Sequence, residues 1–146
     1  MLDLVLAVIH HLLVFGLAIM LAMELAYLRA DPVPVARLAK LDGGYGAVAV
    51  LIVAVGVGRV VWGAKGWIAY QANPMFWAKI ATFVAIGLIS IAPTIQFIKW
   101  TRALKADATF RPPASEVSRA VLWVRIEVLL LLPLVAFAAA MARWTV

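Results

Sequence analysis

The sequence predicts an all-α integral membrane protein, a bundle of four transmembrane helices, and two observations carry that prediction. First, 66% of the 146 residues are apolar and the mean hydropathy is +1.05, whereas soluble domains are only about half apolar. So short a chain has no interior that could hide this surface, and a bilayer does not require it to. Second, the apolar residues fall into four runs, at about residues 4–28, 43–63, 75–98 and 120–142. Each approaches or exceeds the roughly 20 residues a spanning helix needs. A single domain over residues 1–146 is expected.

The first run, Leu4 to Leu28, is longer than the roughly 7–15 residues of a signal-peptide core, and no basic segment precedes it. With His10, His11 and Glu24 inside it, it is read as a retained span. Asp31-Pro32-Val33-Pro34 is a strong helix stop. The second run lies between Gly43 and Gly63. Asn73-Pro74 opens the third, with proline suited to a first helical turn. Arg111-Pro112-Pro113 breaks the chain before the fourth, where Ser115 or Ser118 is the expected cap. Trp62, Trp67, Trp77, Trp100 and Trp144 all fall near span ends, the pattern of an interfacial aromatic belt. Pro93 and Pro133 are expected to kink their spans.

Net charge is +6, from 13 Lys plus Arg against 7 Asp plus Glu. Nucleic acid is not the expected partner, because aromatic and basic residues do not interleave in a groove-like stretch. The basic residues sit between the apolar runs, where they anchor to anionic lipid and set orientation. Loop one carries Arg29, Arg37 and Lys40; loop three carries Lys99, Arg102, Lys105 and Arg111, with Arg119 at its edge. Loop two has only Lys65, and Arg143 stands near the C-terminus. Loops one and three are therefore expected in the cytoplasm and both termini on the opposite side. The chain has no cysteine, which excludes disulfides, thiolate metal sites, iron–sulfur clusters and cysteine nucleophiles.

Function is sought among the intramembrane polar residues, since an ionisable side chain at the centre of a span costs about 2.5–3.5 kcal/mol. The expected topology sorts them into two layers. His10, His11, Arg59 and Lys79 form an outer set; Glu24, Arg125 and Glu127 form an inner set, with Tyr45 and Gln96. Three stripes at helical spacing are expected to face the bundle interior: His10, Val14, Leu17, Leu21 and Glu24; Tyr45, Ala49, Ile52, Gly56 and Arg59; Lys79, Phe83, Ile86 and Ser90. Small residues such as Ala49 and Gly56 would let helices approach closely.

The adjacent histidines are the sharpest feature. Neighbouring helical positions point about 100° apart, so the two cannot clamp one haem iron from opposite faces. One chain could supply a single axial imidazole, with the second ligand from Met75, Met141, Lys79, water or nothing. A bis-histidine site would need a homodimer. On the functional reading His10 is the metal ligand of haem b, His11 is its neighbour in the cofactor site, and Arg59 or Lys79 pairs with the propionates. On the bland reading one histidine hydrogen-bonds a neighbouring helix, the other reaches the interface, Lys79 snorkels and Arg59 is interfacial. In the inner set, Glu24 is expected to form a structural ion pair with Arg125 or Arg29, and Glu127 is open to the same choice between ion pair and proton relay.

Val8-Ile9-His10-His11-Leu12, Phe76-Trp77-Ala78-Lys79 and the order of the loops resemble a family of small four-span bacterial membrane proteins of unknown function. The likeness covers nearly the whole chain and implies the bacterial inner (cytoplasmic) membrane. A more distant likeness is to the HemJ-type protoporphyrinogen oxidases, haem-b proteins of similar size. Ile9-His10 with Val14 is similar to the histidine segment of their first span, and Trp77-Ala78-Lys79 to the approach to their functional lysine. That likeness implies His10 as haem ligand and Lys79 as the candidate catalytic residue, binding substrate or propionate. The final-span signature of those oxidases is matched only at Glu127; Trp123, Ile126 and Leu129 stand in place of its arginine, asparagine and proline. Two functions follow as expectations: a haem-b-binding membrane redox protein acting on porphyrin, or a non-catalytic accessory subunit packing against a larger membrane complex. Methionine and histidine are too few to favour a transporter or copper-handling protein.

Overall fold

The structure, a computed structural model, describes residues 1–63 and 66–143. Five helices are present among them: α1 (Leu2–Leu28), α2 (Val35–Trp62), α3 (Gly66–Gln71), α4 (Pro74–Ala106) and α5 (Ala114–Arg143). All but the short α3 are long and apolar enough to cross a membrane. Lys65 and Trp144, which entered the orientation and belt expectations, lie outside the described residues.

The helices follow their end signals in part. Asn73 caps α4, its side chain accepting from the Met75 N–H at 2.9 Å with Pro74 in the first turn. Neither Ser115 nor Ser118 caps α5, because that helix already begins at Ala114. Three helices also run further than the apolar runs at one end of the bundle. Residues 35–42 belong to α2, 99–106 to α4 and 114–119 to α5. Arg37, Lys40, Lys99, Arg102 and Lys105 therefore stand on helices, not in loops. Hydropathy marks the bilayer crossing, whereas Leu, Ala, Lys and Arg continue a helix readily once outside it. These cations make this the basic end of the bundle; the other carries α3.

The four long helices form a ring in which α1 packs on α2 and α5, and α4 packs on α2 and α5. The short α3 lies across α2 and α4. The predicted stripes do face inward: His10, Leu17, Leu21, Glu24 and Leu28 are the buried residues of α1, and Tyr45 and Ile52 are buried on α2. Ile86 is buried on α4, while Lys79, Phe83 and Ser90 are half-buried. Lipid-facing residues such as Leu12, Phe15, Val50, Leu88 and Leu132 line the outside.

Packing is tightest toward the basic end, where Leu21, Leu38, Phe97, Trp100 and Val124 are almost wholly enclosed. Trp100 is thus a core residue and not a belt residue. Its indole N–H donates to Glu116 Oε2 at 2.7 Å, and Gln96 Nε2 donates to the same oxygen at 2.7 Å. One carboxylate so ties the end of α4 to the start of α5. At the α3 end, Trp67, Tyr70, Phe76 and Trp77 pack edge-on or tilted, with ring centroids 5.3–6.4 Å apart. Trp62, Trp67 and Trp77 are exposed there, as an interfacial belt requires.

Candidate functional site

The polar residues do separate into two layers. His10 and Glu24 share the inward face of α1, fourteen residues apart, which is about 21 Å along the axis at 1.5 Å per residue.

In the layer nearer the α3 end, His10 is buried and lies against Gly56: a Cβ there would sit 3.6 Å from His10 Cε1. The imidazole thus lies against α2, with the Ile52 carbonyl near the ring. Arg59 on α2 and Lys79 on α4 are the cations whose charges reach His10. His10 Nδ1 and Arg59 Nε are both buried without a hydrogen-bond partner. These three residues thus occupy one layer on three helices. His11 is not part of this group. It is exposed, its ring stands edge-on to His10 with centroids 6.3 Å apart, and its Nδ1–H donates to the Ala7 carbonyl at 2.6 Å.

Toward the basic end, Glu24 and Glu127 are 2% and 1% exposed. Tyr45 donates to Glu127 Oε2 at 3.0 Å. Asp42, also buried, accepts from Thr94 Oγ1 at 2.9 Å. Asp42 and Glu127 are the acids whose charges reach Glu24. The expected ion pair of Glu24 with Arg125 or Arg29 does not form. Both arginines are exposed, and the only ion pair among the described residues is Arg111–Asp31, at 3.8 Å and well exposed. Burial of Glu24 on the inward stripe turns it away from the helix faces that carry those cations. Glu24 Oε1 and Glu127 Oε1 are instead buried without partners. The unmatched atoms are therefore nitrogens in one layer and carboxyl oxygens in the other.

Asp42 and the Glu116 junction escaped the sequence reading because both lie outside the apolar runs, where an acidic residue carries no penalty that would mark it. Among the described residues, no group of three or more His, Asp or Glu side chains gathers in a way that could hold a metal ion. A single imidazole remains available as one axial ligand.

With the four spans in place, the comparison that decides the family is a sequence model described as "Predicted membrane protein (DUF2214)", which matches residues 2–144. The chain belongs to the DUF2214 family. No curated protein and no solved structure matches it. Membership of the DUF2214 family agrees with the four-span architecture.

Proposed function

We propose that this DUF2214 protein is a haem-b-binding redox protein of the bacterial inner membrane, acting on porphyrin, with His10 as the axial ligand and Arg59 and Lys79 toward the propionates. The observation that supports it is the unpartnered pair His10 Nδ1 and Arg59 Nε inside an apolar bundle. A buried polar nitrogen without a partner costs about 1–3 kcal/mol. A ligand carrying carboxylates and offering a metal to the imidazole would remove that cost. The donor set fits such a group: one neutral-capable imidazole, and two cations that make no ion pair among the described residues. Haem b bound there would supply one-electron chemistry. His10 would hold the group, Arg59 and Lys79 would orient it, and the surrounding Leu and Val side chains would exclude water. Lys79 would meet a porphyrin carboxylate.

An absorption spectrum of the purified protein tests this. A Soret band, with α and β bands on reduction, is expected, either as isolated or after reconstitution with haem. A protein that stays colourless in excess haem would end this reading, and one that co-purifies in fixed ratio with a large assembly would put the accessory-subunit role in its place.

The orientation belongs to the same proposal, since it sets the side on which the His10 layer lies. Arg37 and Lys105 are exposed at the basic end, and short loops rich in Lys and Arg stay in the cytoplasm. Single cysteines placed there in this cysteine-free chain should react with an impermeant thiol reagent only after the membrane is opened. Labelling of either in intact cells would reverse the orientation.

A further inference from the structure

The buried acids of the basic end are not used by the proposed haem site, and a cleft lies beside them. A cleft of about 220 Å³ lies between α2 and α4, lined among others by Asp42, Tyr45, Phe83, Ile86, Ser90 and Thr94. It is bordered by Gly43, Gly46 and Gly87, whose missing side chains keep this seam open. Water's share of liquid volume is about 30 Å³, so the cleft has room for several molecules, and its hydroxyls and carboxylate offer them partners. The Tyr45 hydroxyl joins this cleft to Glu127, to which it donates at 3.0 Å. Glu24 lies behind, on α1, within reach of Glu127's charge.

The geometry points to a proton-exchange site: Glu127, with Glu24 behind it, takes up and releases a proton through the Tyr45 hydroxyl from water in the α2–α4 cleft. Two nearly enclosed carboxyl groups that pair with no cation among the described residues cannot both remain charged in an apolar medium, because an unpaired buried charge is far costlier than a neutral acid. Leu21 and Val124, both at 0% exposure, pack in the same part of the core. A proton needs no space, and a metal ion with its ligands does. The step balances simply. Tyr45 passes its O–H proton to a Glu127 carboxylate oxygen and receives one from a water or buffer acid in the cleft, leaving the phenol unchanged and the carboxylate a neutral acid. Release is the reverse. The groups that face the site are Glu24 from α1, Asp42 and Tyr45 from α2, Thr94 from α4 and Glu127 from α5. The site stands whether or not the His10 layer takes a porphyrin.

Infrared spectroscopy of the full chain in lipid, near neutral pH, tests it. The wild type should show the C=O stretch of protonated carboxyl groups, and the band should shift in D2O. E127Q should remove its main component and E24Q a second, with D42N marking any contribution of Asp42. Y45F should keep the band but slow its shift in D2O by on the order of a hundredfold, the usual worth of a positioned proton-transfer group. Circular dichroism checks that each variant keeps its helices. Absence of the band from the wild type, or its loss when sodium or potassium chloride is added to a salt-free sample, would show ionised acids holding a cation and overturn the proposal. So would a wild-type band that ignores D2O, or one that shifts as fast in Y45F as in the wild type. The wild-type measurements alone decide the matter if a variant does not fold.

Discussion

Trp100→Ala is expected to be among the most destabilising single substitutions in this chain, costing about 3–5 kcal/mol, the range for emptying a large aromatic site in a core. Trp100 is 1% exposed and packs on Phe97 with ring centroids 5.7 Å apart. It lies beyond the third apolar run, near the water-facing end, so its removal opens a void and also takes one of two donors from Glu116. Trp100→Phe separates these effects. It keeps most of the ring and loses only the hydrogen bond to a carboxylate, worth about 1.5–3 kcal/mol. Unfolding in mixed micelles, followed by helicity, should therefore rank wild type above Trp100→Phe and Trp100→Phe above Trp100→Ala. Equal stability of the two variants would mean that the ring fills no essential space.

On the proposed haem site, His10→Ala is expected to abolish haem retention, since it removes the only buried imidazole. His11→Ala should have a smaller effect, because that ring is exposed and already bonded to the Ala7 carbonyl. Lys79→Gln should weaken haem affinity or lower turnover while leaving helicity unchanged, because its charge reaches the His10 layer but makes no ion pair among the described residues. The measurement is the haem-to-protein ratio after purification and reconstitution, with helicity as the control for folding. If His11→Ala proved more damaging than His10→Ala, the ligand would lie on the outward face of α1, and the role assigned to the buried imidazole would fall.

The number of spans and their inward stripes were legible in the sequence because each depends on a strong periodic signal. Apolar length marks the crossings, and the spacing of His10, Leu17, Leu21 and Glu24 marks one face. The helix ends were less legible. Beyond the bilayer the apolar signal stops, while the backbone hydrogen bonds of α2, α4 and α5 continue. Partner choice was least legible. Sequence proximity and opposite charge suggested Glu24 with Arg125 or Arg29, but the register between helices decides contacts. That register sets Tyr45 against Glu127 and Thr94 against Asp42. Trp100 shows the same limit: position near a span end suggested an interfacial ring, and only the packing of α4 on α5 turned it inward.

The overrun of the helices has a consequence for the lipids themselves. At 1.5 Å per residue the 33 residues of α4 measure about 50 Å and the 28 of α2 about 42 Å, against roughly 30 Å of hydrocarbon. Most of the excess emerges on one side, carrying Arg37, Lys40, Lys99, Arg102, Lys105 and Arg119, all exposed. Rigid rods hold these cations at fixed heights, so their attraction for anionic headgroups, about 1 kcal/mol for each basic residue near the surface, is not averaged away by loop motion. The annular shell in that leaflet will therefore be richer in acidic phospholipid than the opposite one. The protein carries its own compositional asymmetry with it wherever it diffuses.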